Sequence, residues 1–281
     1  LTPDHRAIIA SLSAKSDGIG LIHFACHGGA ILLLGSLIAA RVPFWPLLMA
    51  PQGILIVFLF TLLHETIHRT AFKTRRLNDL IAWICGLMII LPPEWFRGFH
   101  FAHHRFTQDP ERDPELADPK PETPMQYLVH LSGLPTWYGH LKTLGINALG
   151  RGEIATEARI MIAVYAALVG LSLATGSALL FYSWILPVLI GQPALRLYLL
   201  AEHTGCPKLP NMLENTRTVL THWLIRKIAW NMPYHTEHHS FPAVPFHRLP
   251  ELHSVMSGQL IHVEQGYFSF HRRYVSSLVS R

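Results

Sequence analysis

The chain has 281 residues, of which 50% are hydrophobic and only 15% charged, with a formal net charge of +5. With a mean hydropathy of +0.26 and a pI near 9.2, this composition excludes an ordinary water-soluble domain. No basic nucleic-acid motif accompanies the positive charge, which suits anionic lipid headgroups instead.

Ile19 to Ala40 contains no Lys, Arg, Asp or Glu, and after the turn at Arg41-Val42-Pro43 a second apolar run extends from Phe44 to Leu63. A bilayer span needs about twenty apolar residues, so the two runs predict a helical hairpin with spans at about 19–40 and 44–68. No cleavable signal peptide is expected, since the first run begins late, has full span length and leads directly into another. Leu77 to Pro93 is also apolar, but it carries Asp79 and ends in Pro92-Pro93. A second hairpin is expected at about 158–176 and 180–202, interrupted by Thr175-Gly176-Ser177 and carrying Pro187, Gly191, Pro193 and Arg196 in its second half.

Three histidine clusters follow these hairpins: His64-Glu65-Thr66-Ile67-His68, then His100-Phe101-Ala102-His103-His104, and His235-Thr236-Glu237-His238-His239. In an α-helix, residues four apart share a face, so His64 and His68 can grip one metal. In HxxHH one helical turn offers three imidazoles to two neighbouring metals. His203, at the end of the fourth span, lies at the membrane depth expected for His64 and brings the candidates to nine. Nine imidazoles exceed a single tetrahedral zinc site, and nitrogen-rich ligation suits iron, copper or zinc. If 77–93 crossed the bilayer, the first two clusters would be separated by more than about 30 Å; the segment is therefore expected to be re-entrant or interfacial.

With four crossings, only Arg41 of the basic residues falls on the far side, apart from Arg196 within a span, while Arg69, Lys73, Arg75 and Arg76 follow the second span. Basic residues favour the cytoplasmic side, which places both termini and the histidines there. Cys26, Cys85 and Cys206 have no CxxC spacing and are expected to be structural thiols. The acid- and proline-rich stretch 107–124 predicts a solvated loop.

The order of a helical hairpin, HxxxH, HxxHH, a second hairpin ending in histidine, and a final HxxHH resembles the membrane fatty acid desaturase and hydroxylase superfamily. Asn231-Met232-Pro233-Tyr234-His235 and Pro245-Phe246-His247-Arg248-Leu249-Pro250 resemble bacterial acyl-lipid desaturases in particular. The resemblance implies an all-α, integral membrane four-span bundle, a single domain over 1–281 with a cytoplasmic helical cap at 94–157 and 203–281, in a bacterial inner membrane. It implies two iron ions on His64, His68, His100, His103, His104, His203, His235, His238 and His239, O2 as co-substrate, and double-bond formation in a fatty acyl lipid. The sequence has no HPGG-type haem motif, so electrons are expected from a separate ferredoxin- or cytochrome-type donor. Metal-bound histidines usually donate their second N–H to a carboxylate or carbonyl; Glu65, Asp109, Asp113, Glu202, Asn231 and Glu237 are the candidates for such support.

The same family also contains hydroxylases and ketolases of carotenoids and other small hydrophobic molecules. From other classes, His64-Glu65-Thr66-Ile67-His68 fits the HExxH motif of zinc proteases, with Glu65 activating water, although that reading leaves both HxxHH clusters idle. A non-catalytic metal transporter would carry ionisable residues along several spans rather than at one face. His23 and His27, another i, i+4 pair in the first span, are read as structural hydrogen-bonding groups.

Overall fold

The computed structural model of the chain describes residues 3–280. Its architecture is almost wholly helical, and four helical segments are long and apolar enough to cross a membrane: Asp17–Ala39, Trp45–Ile67, Glu153–Thr175 and Phe181–His203. A short helix α1 (Pro3–Leu12) precedes the first of them, α2 (Asp17–Ala39). Ser16 caps α2 by accepting a hydrogen bond from the Ile19 N–H, and Asp17 adds negative charge at the positive end of the helix dipole. Arg41 and Phe44 adopt left-handed conformations that reverse the chain.

The second segment is a single-turn entry at Trp45–Leu48 followed by α3 (Met49–Val57) and α4 (Leu59–Ile67), separated at Phe58. From Thr61 to Ile67 every residue of α4 is buried, so its histidine-bearing end is held by packing on all sides. Next, α5 (Arg75–Ile89) meets α6 (Pro93–Phe106) at an angle of 97°. Ile90 takes φ 57°, which a β-branched side chain rarely adopts, and Pro92-Pro93 forbid continuation of α5. This bend brings the second histidine cluster back beside the first.

The chain then runs through a single turn at Pro114–Ala117, α7 (Pro124–Ser132) and α8 (Leu134–Ala148) into α9 (Glu153–Thr175). α9 starts five residues before the expected 158, because Gly152 supplies the positive φ of the preceding turn and Glu153 favours a helix N-terminus. The buried Glu157 carboxylate accepts the Glu94 N–H (3.0 Å), so α9 caps the start of α6 from outside. A π-helical turn at Phe181–Ile185 leads into α10 (Leu186–His203). Gly53 of α3 and Gly191 of α10 let the two backbones touch: a Cβ on Gly53 would fall 1.8 Å from the Pro187 carbonyl oxygen.

Beyond α10 come α11 (Met212–Asn215), strand β1 (Thr218–Val219), α12 (Trp223–Ile228), α13 (His235–Ser240), α14 (Leu249–Met256), strand β2 (Val263–Glu264) and α15 (Tyr267–Val279). β1 and β2 pair in parallel, Thr218 opposite Val263 and Val219 opposite Glu264. Only 11% of the apolar windows of α2 and α9 is buried, against 56% and 44% for the second and fourth segments. The first pair therefore forms the outer, lipid-compatible face, and such an apolar surface would be a liability in water.

Candidate metal centre

Each histidine cluster is fixed by its own local device. His64 lies in the last turn of α4 and His68 caps it, after which Arg69 in the left-handed region turns the chain away. His100, His103 and His104 sit on α6, whose start is capped by Glu157. Trp230 and Asn231, two consecutive left-handed residues, precede α13 with His235, His238 and His239. Strained backbone of this kind persists only where surrounding structure over-determines it. His203 ends α10, where the Arg217 guanidinium donates to the Ala201 and Thr204 carbonyls (2.5 and 2.9 Å) that the helix leaves unpaired.

All nine histidines meet at this one end of the bundle, in two adjoining groups. Ligand-capable nitrogens of His64, His68, His100, His104 and His238 lie within 4.8 Å of one another, as do those of His103, His203 and His239. His235 joins the second group with its Nε2 3.0 Å from that of His203. Helix geometry permits the partition: in each HxxHH the residues at i+3 and i+4 lie to opposite sides of residue i, about 100° apart, so they can serve different groups. His100 and His104 go to one group and His103 to the other, while His235 and His239 go to the second and His238 to the first.

The Nε2–Nε2 distances across elements are 3.0 Å for His68–His100, 3.2 Å for His104–His238 and 3.3 Å for His103–His203. Two donors bound at about 2.1 Å to one ion at a right angle stand about 3 Å apart, so the spacing fits a shared cation. His64 is buried with neither ring nitrogen hydrogen-bonded, and His239 Nε2 is likewise unsatisfied. Buried polar atoms without partners are costly, and a metal ion at the focus of each group would satisfy His239 Nε2 and one of the two His64 nitrogens. Burial, reinforced by the neighbouring imidazoles, holds His235, His238 and His239 well below the ordinary imidazole pKa of 6.5. Neutral rings keep the lone pairs that ligation requires.

The outward-facing nitrogens show which groups orient the rings. His103 Nδ1–H donates to Asp113 (2.9 Å), and His203 Nδ1–H donates to the Asn215 carbonyl (3.0 Å). The Thr107 hydroxyl donates to the His103 carbonyl (2.7 Å), leaving a lone pair for His239 Nδ1–H at 3.3 Å. Glu202 stands 3.5 Å from His235 Nδ1. Glu65 stands 3.9 Å from His238 Nδ1, beyond hydrogen-bond reach, and accepts from the Thr70 hydroxyl and the Phe246 N–H instead.

The other three expected supporting groups contact no histidine of the two groups. Asp109 organises its own loop by accepting from Arg112 and the Glu111 N–H. Asn231 donates to the Phe246 carbonyl. Glu237 accepts from the Thr218 hydroxyl and His253, because it is rotated away from the ligand face of α13. Thr107 and Asn215 escaped the sequence reading, since hydroxyls and main-chain carbonyls carry no metal signature.

His23 and His27 lie outside both groups. His27 donates to the Leu55 carbonyl (2.8 Å) and accepts from the indole N–H of buried Trp230 (3.2 Å). His23 donates to the Lys227 carbonyl (2.8 Å) and lies 4.2 Å from the Trp230 ring. Both tie α2 to the segment that leads into the third cluster, and both are satisfied by these bonds.

Comparison with known proteins yields one family match and several distant relatives. A family model described as fatty acid desaturase matches residues 39–271. Among curated proteins, the chain is 28% identical over 215 residues to dihydrorhizobitoxine desaturase of Bradyrhizobium elkanii, covering 67% of this chain and 60% of the relative. It is 29% identical over 208 residues to a sphingolipid delta(4)-desaturase of Drosophila melanogaster, covering 71% and 62%. It is 27% identical over 212 residues to a sphingolipid delta(4)-desaturase/C4-monooxygenase of Rattus norvegicus, covering 72% and 62%. The matched region thus spans about 60% of the length of these relatives.

Proposed function

The chain belongs to the fatty acid desaturase family, and from that premise we propose that it is an O2-dependent membrane oxidoreductase that forms a double bond in the alkyl chain of a hydrophobic substrate, an acyl lipid first of all. The observation that carries this reading is the convergence of nine imidazoles into two adjoining groups at one end of an apolar bundle. The ions are assigned as two irons. When bound, they would supply the oxidising power for an unactivated C–H bond that side chains lack.

The protein's own part is positioning. His64, His68, His100, His104 and His238 would hold one ion, and His103, His203, His235 and His239 the other. Asp113, the Asn215 carbonyl and Thr107 keep their rings aimed by taking the outer N–H groups. Burial of the rings keeps bulk water from the reacting carbon, and a fixed substrate position selects which hydrogens leave. We place the histidine face in the cytoplasm, with α5 and α6 interfacial, because Arg69, Lys73, Arg75 and Arg76 cluster on that side and Arg41 on the other. A separate ferredoxin- or cytochrome-type protein would deliver electrons there, and a bacterial inner membrane is the expected setting.

Hydroxylation is the second reading, favoured by the rat relative whose description joins desaturase and C4-monooxygenase. A protease reading is disfavoured by Glu65, whose Oε2 accepts from Thr70 and Phe246 and whose Oε1 lies nearest His238 Nδ1, on the side of that ring away from the histidine focus. The test pairs metal analysis of the purified chain with mass spectrometry of lipids and pigments from expressing cells. Two irons per chain with a product two hydrogens lighter supports desaturation; one added oxygen supports hydroxylation. A single zinc that His103→Ala and His238→Ala leave in place would refute both.

A further inference from the structure

The two histidine groups are unequal, five imidazoles against four, and an acidic side chain stands at the smaller one. Glu115 places a carboxylate oxygen 3.8 Å from His103 Nε2. This is the nitrogen that faces His203 Nε2 at 3.3 Å; the opposite nitrogen, Nδ1, is occupied by Asp113. Glu115 therefore lies on the metal side of the His103 ring, where it cannot serve as the ring's outer orienting partner.

Its position is built, not incidental. Asp113 caps the single turn Pro114–Ala117 by accepting the Glu115 N–H (3.0 Å) with the same oxygen that takes the His103 Nδ1–H (2.9 Å). The second Asp113 oxygen accepts the Gln108 N–H (2.7 Å), and Gln108 in turn donates from its side chain to the His203 carbonyl (3.0 Å). One buried carboxylate thus fixes the His103 ring, the start of the turn that carries Glu115, and the strand of chain reaching His203. Among the described residues no hydrogen bond satisfies the Glu115 carboxylate. With the His103 Nδ1–H committed to Asp113, Nε2 is the nitrogen left to take a cation, and the partly exposed Glu115 carboxylate is the acidic group that faces it.

We propose that Glu115 is the fifth ligand, and the single oxygen ligand, of the ion held by His103, His203, His235 and His239. The inference rests on the two-ion reading above. Donors bound at about 2.1 Å to one ion stand roughly 3.6 Å apart at 120° and slightly farther at wider angles, which accommodates the observed 3.8 Å. The two sites then differ in kind: five neutral nitrogens at one, four nitrogens and an anionic oxygen at the other. The carboxylate offsets part of the second ion's charge and makes that site the harder of the two.

The test uses the full chain purified in detergent, stripped of metal and titrated with Co2+, whose visible absorption reports ligand type, with stoichiometry from metal analysis and affinity from chelator competition. The wild type should take up two ions. Glu115→Ala and Glu115→Gln should each weaken one of them by at least roughly 10-fold and change its spectrum, while the other ion stays as in the wild type. His103→Ala should affect the same ion, and Glu111→Ala, a neighbouring acid on the same loop, should affect neither. Glu115→Gln preserves shape, so its elution as a folded monodisperse species separates lost ligation from lost folding. If Glu115→Ala and Glu115→Gln bind both ions with wild-type affinity and spectrum, the assignment is wrong while the two-ion reading stands. A wild type that binds no ion overturns both.

Discussion

Asp113→Asn is the substitution whose consequence follows most directly from the geometry. The side chain is almost fully buried and accepts three hydrogen bonds, from His103 Nδ1 (2.9 Å), the Glu115 N–H (3.0 Å) and the Gln108 N–H (2.7 Å). Asparagine has the same shape but only one acceptor oxygen. Whichever way its amide turns, an NH2 group faces at least one of these donors, leaving that donor buried and unpaired. A buried donor without a partner costs about 1–3 kcal/mol. Loss of a carboxylate that orients a ligand imidazole typically weakens metal binding about 10–100-fold, which corresponds to about 1.4–2.7 kcal/mol. The first figure is a cost in folding stability and the second a cost in metal affinity, and the two are of similar size.

The assay is chelator competition on the purified chain, with Asp109→Asn as the comparison. Asp109 sits four residues earlier in the same loop and bonds only within it, so its variant should bind within about twofold of wild type. The ion on His64, His68, His100, His104 and His238 should be unaffected in both, since none of these rings bonds Asp113. Wild-type affinity for both ions in Asp113→Asn would refute the assignment of Asp113 as the group that orients His103.

Three further outcomes are expected. Gly191→Ala puts a methyl 2.2 Å from the Gly53 carbonyl carbon, forcing α3 and α10 apart at a cost of about 1–3 kcal/mol; a lowered Tm in detergent checks this, with Gly170→Ala, where nothing lies within 4 Å, as the neutral control. His27→Ala should lower Tm by stranding the buried Trp230 N–H and the Leu55 carbonyl yet leave the metal stoichiometry at the wild-type value; loss of an ion would make His27 a ligand after all. For the metal-free protein, His235, His238 and His239 have pKa values depressed by burial below 6.5, so the unfolded chain binds more protons as pH falls through that value. Stability should then decline below about pH 6.5, by up to about 1.4 kcal/mol per pH unit for each ring, and be level above it as far as these rings are concerned. Denaturant unfolding at pH 7.5, 6.5 and 5.5 reads the slope, and a flat profile would show that these rings titrate alike in both states.

The apolar runs and the histidine spacings are local properties, and they determined much of this protein without reference to any contact. A helix needs length and apolarity to cross a bilayer, so four segments announce themselves, displaced in the structure by up to five residues where Gly152-Glu153 lengthened the helix. HxxxH and HxxHH fix the angles between the imidazoles, with His103 and His104 about 100° apart on their helix; which of them groups with His100 was decided by the elements that face the helix.

Tertiary structure decided what surrounds those rings. The loop at 107–118 offers five acids at 109, 111, 113, 115 and 118, and only its path, turned by left-handed Gln108, selects Asp113 for His103 Nδ1 and turns Glu115 toward His103 Nε2. Glu237 and Glu65 adjoin ligands in sequence, yet one residue along a helix is a rotation of about 100°, and they face Thr218 and Phe246 instead. The Asn215 carbonyl that orients His203 belongs to main chain, which every residue carries alike. Neighbours along the chain are set by covalent geometry, whereas neighbours across it depend on how the helices pack, and the groups that orient a ligand belong mostly to the second kind.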